Sequence, residues 1–417
     1  TPRLTCASLA LLLSLPVLAD DWTQYRGPRG TGISSESLAD VPWSSAPNQQ
    51  WKVPTNLGFS SFSIAGDRVF TLVAGEEGGT KLEFCLALDA KTGNESWRRA
   101  LNPREYRGGG DAGASGNRGG DGPRSTPACD GRHVYVYDAE MSLHCLRAND
   151  GELVWKRDVL KEFDGRNIEW KNASSPVLQD GIVYVGGGGQ DESFLAFDAL
   201  TGDLKWKTGD ETITHATPQI AEINGVDQIV YFVQSGLVSL RLSDGKEIWR
   251  TQYPFSVSSA ASPVISDDLV YCSAGYGVGA GLFKITEQNE VQDVWAMPNE
   301  LMNHWSTPVV HDGHLYGIYE FKKYGKAPLQ CVDLATGEIL WSQRNFGPGN
   351  CILVGDKLVV LSDAGEVVIV KAQPDEYKEI ARADVLEGKC WSTPAFSDGR
   401  IYVRSTTEAA CLDLNSL

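Results

Sequence analysis

The chain has 417 residues and carries 37 Lys and Arg against 54 Asp and Glu, a formal charge of −17. That balance argues against a nucleic-acid partner, which needs a basic face, and against anionic lipid held by a polybasic patch. The remaining composition is that of an ordinary soluble globular protein, with acidity that serves solubility.

In chain order, Arg3 followed by the apolar run from Leu9 to Ala19 reads as a secretory signal, residues 1–19. The run is too short to span a bilayer. Val17 and Ala19 satisfy the small-residue cleavage rule, so cleavage near Ala19 would release a periplasmic or secreted chain of charge −18 starting at Asp20. Cys6 precedes the run instead of ending it, a poor position for lipid attachment. No later stretch is apolar enough to be a transmembrane helix. Residues 20–49, with Trp22, Gly27, Pro28, Gly30 and Gly32, form an N-terminal arm, and residues 50–417 a single domain.

That domain is organised by a repeat. Tryptophans at 51, 97, 155, 206, 249, 295 and 341 lie, by subtraction, 46, 58, 51, 43, 46 and 46 residues apart, the period of a four-stranded propeller blade. Most are preceded by an Asp-x-x-Thr-Gly turn or a relative of it, as at Asp89-Thr92-Gly93, Asp198-Thr201-Gly202 and Asp333-Thr336-Gly337. Glycine there supplies a positive φ, and Asp and Thr can bond the turn backbone. A Ser/Thr-Pro step opens each first strand: Thr126-Pro127, Ser175-Pro176, Thr217-Pro218, Ser262-Pro263, Thr307-Pro308 and Thr393-Pro394. Alternating strands such as His133–Tyr137 follow, and helical periodicity is absent, so the fold class is all-β. Two more copies follow Trp341, the last one strand short, while Gln50-Trp51-Lys52-Val53 is a Trp strand with no copy before it. Pairing the two ends closes an eight-bladed β-propeller and leaves no long free edge. Seven blades is the alternative, if the weak copy after Trp341 merges with its neighbour. Residues 102–124 are a Gly-rich insertion holding Asp111, Asn117 and Asp121, and a loop that long is functional or mobile.

The cysteines do not read as a disulfide framework. Cys145, Cys331 and Cys411 occupy the repeat position that Ala87 and Ala196 fill elsewhere, and equivalent positions in distant copies cannot meet. Cys351 and Cys390, which open neighbouring copies, are the one pair to test.

The Asp-x-x-Thr-Gly-x-x-x-Trp repeat resembles the quinoprotein, or PQQ-like, propeller repeat. The opening Asp21-Trp22-Thr23-Gln24-Tyr25-Arg26-Gly27-Pro28, together with Gly120–Pro127 and Asn303–Pro308, is similar to exported PQQ-like repeat proteins of planctomycete and verrucomicrobial bacteria. The resemblance covers essentially the whole mature chain. It implies an eight-bladed propeller whose Trp residues dock blade to blade. It leaves function open, since the family includes quinone-dependent dehydrogenases and non-catalytic propellers such as BamB.

Loops leading into successive blades should ring a shared funnel, which brings Arg124, Asn172, His215, His304, Trp305, Lys389 and Trp391 together. Cations and two aromatics could cradle a flat anionic ligand. Equally, Trp305 and Trp391 could plug the channel while the cations bond loop carbonyls. A quinone enzyme of this family would need PQQ stacked in the funnel, Ca²⁺ held by hard oxygen ligands and a carboxylate base. The adjacent Cys-Cys of the family's alcohol dehydrogenases is not found here, and the nearest oxygen donors, Asp121, Glu169, Asn172, Glu300 and Asn303, show no ligand spacing. His311 and His314 flank a turn with no third metal ligand in sight. No phosphate loop and no Ser-His-Asp order is visible. The expectation is a non-catalytic, cofactor-free binding or scaffold module with an envelope protein or glycan partner. The alternative is a PQQ- and calcium-dependent dehydrogenase of alcohols or sugars.

Overall fold

A computed structural model describes residues 21–38, 48–110, 115–320 and 322–414. The segment expected to be a signal, and Asp111 of the Gly-rich insertion, lie outside the described residues. Among the described residues no helix is long and apolar enough to cross a membrane.

Eight antiparallel four-stranded sheets form the blades of a closed propeller. Their innermost strands are, in order, Ser63–Ala65, Ala128–Cys129, Val177–Gln179, Gln219–Ile223, Val264–Ser266, Val309–His311, Asn350–Val354 and Ala395–Ser397. The weak copy after Trp341 is a blade of its own, the seventh, so the seven-bladed alternative falls. The ring is closed as the end-pairing argument requires: Asn48–Pro54 pairs antiparallel with Glu408–Asp413, Trp51 opposite Cys411.

The repeat explains the stapling between blades. In each Asp-x-x-Thr-Gly turn the Asp carboxylate accepts from the following backbone, as Asp89 does from Lys91 and Thr92 at 3.0 and 2.8 Å. Gly202 has φ +72°, and a Cβ there would meet the Trp155 ring of the preceding blade at 2.7 Å. The glycine is thus demanded both by the turn and by its neighbour's indole. Beside this contact the indole N–H donates to a carbonyl of the next blade: Trp51 to Ala90, Trp97 to Ala148, Trp155 to Ala199, all within 3.0 Å. Opposite five of the repeat's Trp residues the partner strand carries a small residue: Ala87 faces Trp97, Cys145 faces Trp155, Ala196 faces Trp206, Cys331 faces Trp341 and Cys411 faces Trp51. That pairing accounts for Cys145, Cys331 and Cys411. All eight cysteines among the described residues are free and buried, Cys351 and Cys390 included.

The Ser/Thr of four Ser/Thr-Pro steps, at Thr126, Ser175, Thr217 and Thr307, is a second staple. Its hydroxyl accepts a backbone N–H from the preceding blade, as Thr126 does from Ser61, Ser175 from Thr126 and Thr217 from Ser175, each at 2.9 Å.

The arm is built into the ring. Trp22 O and Thr23 O accept from Ile64 N and Cys129 N on the inner strands of blades 1 and 2. Gln24 accepts from Leu178 N in blade 3, and Gln219 of blade 4 donates to Arg29 O. Arg26 donates to the carbonyls of Thr307 and Pro308 at the entry to blade 6. Ile33–Ser34 then adds a parallel fifth strand to blade 7, and Glu36 accepts from Asp398 and Gly399 in blade 8. Sixteen or so residues thereby make one circuit of the inner wall, a length that extended chain easily supplies at about 3.3 Å per residue.

Candidate functional site

The loops that enter the blades surround a cavity of about 530 Å³. Five of the seven residues expected in a funnel line it: Arg124, His215, His304, Trp305 and Trp391. Two do not. Asn172 is 2% exposed, and its amide donates to the carbonyls of Tyr137, Asp138 and Ser174, so it pins its own loop. Lys389 is 3% exposed and lies beneath the wall, with Nζ 2.5 Å from the Asp121 carboxylate and 2.8 Å from Asn117 Oδ1. A buried ammonium is stable only when paired, so both side chains turn from the cavity toward their partners.

The aromatic side of the cavity is packed on itself. Trp391 is stacked by Phe59 at 5.2 Å and by Tyr324 at 5.9 Å, and its ring centre is 4.5 Å from that of Trp305. Lys389 Nζ sits 4.6 Å from the Trp391 ring centre, a cation–π contact. Trp305 Nε1 donates to Pro348 O at 2.9 Å. These rings pack against one another along one stretch of the cavity wall.

The wall also carries cation-forming groups, with His304 5.1 Å from Trp305 between ring centres. Arg124 donates to Trp170 O at 3.0 Å and to Gly119 O at 2.7 Å, tying the Gly-rich insertion to the loop before blade 3. Burial lowers its guanidinium pKa. His215 Nε2 faces Glu169 O at 3.0 Å, so Nε2 carries the proton, and Nδ1 accepts from the Ser258 hydroxyl at 2.9 Å. Burial, and then the Arg124 charge, push the His215 pKa down to about 4. Burial, then His215 and Arg124, push that of His304 down to about 3. Both imidazoles are therefore neutral at neutral pH. Glu169 lines the same cavity and is exposed.

The other oxygen donors considered for a metal are placed elsewhere. Asp121 pairs with Lys389. Asn303 accepts from the Tyr271 hydroxyl and donates to Ile318 O. Glu300 is exposed and is not part of the cavity wall. His311 and His314 face each other across their hairpin. Among the described residues no group of three or more His, Cys, Asp or Glu is placed to hold a metal.

Sequence reasoning missed Phe59, Trp170, Tyr276, Lys322 and Tyr324, all on the cavity wall. The first blade is entered through Ser60-Ser61-Phe62 with no proline, so its entry step went unmarked and Phe59 with it. Lys322 and Tyr324 lie in a long connection between the second and third strands of blade 6, and the length of that connection was the available signal.

The Gly-rich insertion is anchored by a buried acid. Glu83 is fully buried, accepts from the Tyr106 hydroxyl, and accepts from Ala139 N at 3.0 Å. Burial, then nearby Asp138, push its pKa up to about 7. A carboxyl whose folded pKa is raised contributes stability that is complete below about 4.5 and is lost as pH rises through about 7. Glu83→Gln keeps the neutral form at every pH. The difference in unfolding midpoint between this variant and the native chain is expected to move in favour of the variant from pH 5 to pH 8. Thermal melts of both proteins across that range check it; a constant difference refutes it.

An eight-bladed ring of four-stranded blades, stapled by Trp and Gly at a period of about 46 residues, defines a PQQ-like repeat propeller. The family profile described as outer membrane protein assembly factor BamB matches residues 85–343 and 325–415, and the chain belongs to that family. Among solved structures, BamB from Moraxella catarrhalis is 13% identical with a TM-score of 0.60, covering 88% of this chain and 98% of that one. The quinohemoprotein alcohol dehydrogenase from Comamonas testosteroni is 14% identical with a TM-score of 0.64, covering 94% and 80%. The quinohemoprotein alcohol dehydrogenase ADHIIG from Pseudomonas putida HK5 is 13% identical with a TM-score of 0.62, covering 95% and 80%. At these identities the likeness is one of fold. No curated protein matches.

Proposed function

We propose that this chain is a non-catalytic binding propeller of the cell envelope, holding an envelope protein or glycan on its funnel face. The observation that carries this reading is the commitment of the funnel's groups to one another. Trp391 is stacked by Phe59 and Tyr324, Asp121 is bound to Lys389, and Asn172 and Asn303 are spent on their own loops. Calcium takes six to eight oxygen ligands, and among the described residues Glu169 is the one carboxylate that reaches the cavity wall. The residues therefore do not fit a calcium-held quinone. The mouth has apolar points, Leu57, Trp170 and Val257, exposed by 43%, 37% and 48% on the loops before blades 1, 3 and 5. Apolar points on a polar rim suit a protein or glycan partner.

A PQQ-dependent dehydrogenase remains the second reading, favoured by the cavity's aromatic and cationic wall and by the two alcohol dehydrogenases of the same fold. Titration with PQQ, with and without Ca²⁺, separates the two through Trp fluorescence. No saturable quenching is expected up to about 100 μM, weaker than roughly −5.5 kcal/mol. Calcium-dependent quenching that weakens in Trp305→Ala or Trp391→Ala would replace the scaffold reading with the enzyme. In the native host, a photo-crosslinker at Val257 should trap a partner, while one at Leu200, 64% exposed on an outer turn, should not.

A further inference from the structure

We infer that a second cavity, beside the arm and outside the funnel, binds an organic ammonium ion with an aliphatic body. Where the arm crosses the inner strands of blades 3 and 4, it leaves a space of about 280 Å³. Tyr25 and Thr217 line both this space and the funnel, so the two adjoin along the axis. Glu222 and Asp227 line the second space alone. They flank the turn at Asn224 and Gly225, at the strand ends away from the entry loops, and stand directly opposite each other in the antiparallel ladder. Like charges so placed destabilise a hairpin. Other blades cancel the acid of the equivalent hairpin: Asp67 pairs with Arg68, Asp356 with Lys357 and Asp398 with Arg400. Glu222 and Asp227 are exposed and make no ion pair among the described residues.

Two further observations are independent of the charges. Gln219 is 4% exposed, and its amide nitrogen donates to Arg29 O and Ile220 O, each at 2.7 Å. Those acceptors fix which end of the amide is oxygen, so Oε1 is an oriented acceptor on the cavity wall. It takes no hydrogen bond among the described residues. The Thr31 hydroxyl, also of the wall, is buried and has no partner. An ammonium brings three donors and no acceptor, so it can serve a carboxylate and neutral oxygens together. The aliphatic body follows from Pro28, Pro176, Val177, Pro218 and Ile220, which line the same space. A water takes about 30 Å³, so the space has room for an alkyl chain behind the charge, and a bare ion would leave most of it unfilled. Arg29 is the wall's one cation-bearing residue. It is exposed, makes no ion pair among the described residues, and opposes the ligand's charge.

The test uses the full chain and three probes: cadaverine, its neutral counterpart pentanediol, and a terminally blocked alanine pentapeptide with one central lysine. Binding is read by calorimetry at fixed ionic strength. Cadaverine or the peptide should bind at least about tenfold more tightly than the diol, since a charge-assisted bond is about twice as strong as a neutral one. Glu222→Gln and Asp227→Asn should each weaken amine binding by about fivefold or more. Glu338→Gln removes the same charge from an exposed turn of blade 6, outside the cavity, and should change binding by less than about twofold. Thr31→Val keeps the shape and deletes the hydroxyl, so it should weaken binding about threefold. Arg29→Ala should tighten it by about twofold or more. Preference for cadaverine alone points to a free amine, and preference for the peptide alone to a lysine side chain of a polypeptide. Equal binding of amine and diol, or no binding of either amine at about 10 mM, overturns the site. So do equal losses from Glu222→Gln and Glu338→Gln, which would reduce the binding to the chain's overall charge.

Discussion

Lys389→Met is expected to lower the unfolding free energy by about 3–5 kcal/mol, the range for breaking a buried ion pair at one partner. Methionine keeps most of the stem that packs over Phe59 and Trp391, so the loss isolates the charge. The ammonium is 2.5 Å from Asp121, and both side chains are less than a tenth exposed. Without it, Asp121 keeps the N–H of Gly110 at 2.8 Å and a buried, uncompensated carboxylate. Asp121→Asn in the Lys389→Met background should restore part of the loss, because it removes the stranded charge, and the double-mutant cycle should give a coupling above about 1 kcal/mol. The pair joins residues 268 apart in sequence and fixes the Gly-rich insertion against blade 8. Limited proteolysis should therefore cut near residues 104–120 earlier in the variant. Urea unfolding that moves by less than 1 kcal/mol, with no change in cleavage, would show that Asp121 is compensated by other groups.

That pair also shows where the sequence stops being legible. The repeat carries the fold because one position does two jobs. Gly202 both turns the chain and receives Trp155, so its spacing to the next Trp reports a tertiary contact. Where the motif lapses, the contact can be lost with it. Blade 5 has Thr286 to Glu290 in place of Asp-x-x-Thr-Gly, and Trp249 donates to Gln228 within its own blade instead. The Ser/Thr-Pro steps locate the funnel loops for the same reason: in four of them the hydroxyl binds the neighbouring blade, so the step marks a fixed place on the ring. What the step does not encode is side-chain direction. Arg124 and Lys389 stand on equivalent loops, yet one lines the cavity and the other is drawn away by Asp121. The partner that decides this lies far along the chain, where no local period points. The arm is similar. Its composition separated it from the repeat, while its path around the inner wall depends on single hydrogen bonds to seven blades.

Arg26→Ala is expected to destabilise the protein by about 3 kcal/mol or more, because it strips charged donors from several buried carbonyls at once. Arg26 is 2% exposed and holds φ +62°, a conformation that non-glycine side chains rarely adopt. Its guanidinium donates to Thr307 O at 2.7 Å, and to Thr31 O and Pro308 O at 2.8 Å, so it bridges the arm to the entry of blade 6. Burial lowers its pKa, yet the group stays charged at any pH where the fold persists. Alanine leaves those carbonyls without their donor and opens a void beside Gly32, where even a Cβ would lie 2.6 Å from the Arg26 fork. The neighbouring Arg29 is the control. Its side chain is exposed, so Arg29→Ala should change stability by no more than about 0.5 kcal/mol. The arm touches blades 1 to 3 ahead of Arg26 and blades 4, 7 and 8 beyond it, so its release should loosen the contacts beyond Arg26 first. Hydrogen exchange should accordingly rise at Leu353 N, which donates to Gly32 O, before it rises at Ile64 N, which donates to Trp22 O. Equal losses for Arg26→Ala and Arg29→Ala would show that the arm lies on the wall without holding it.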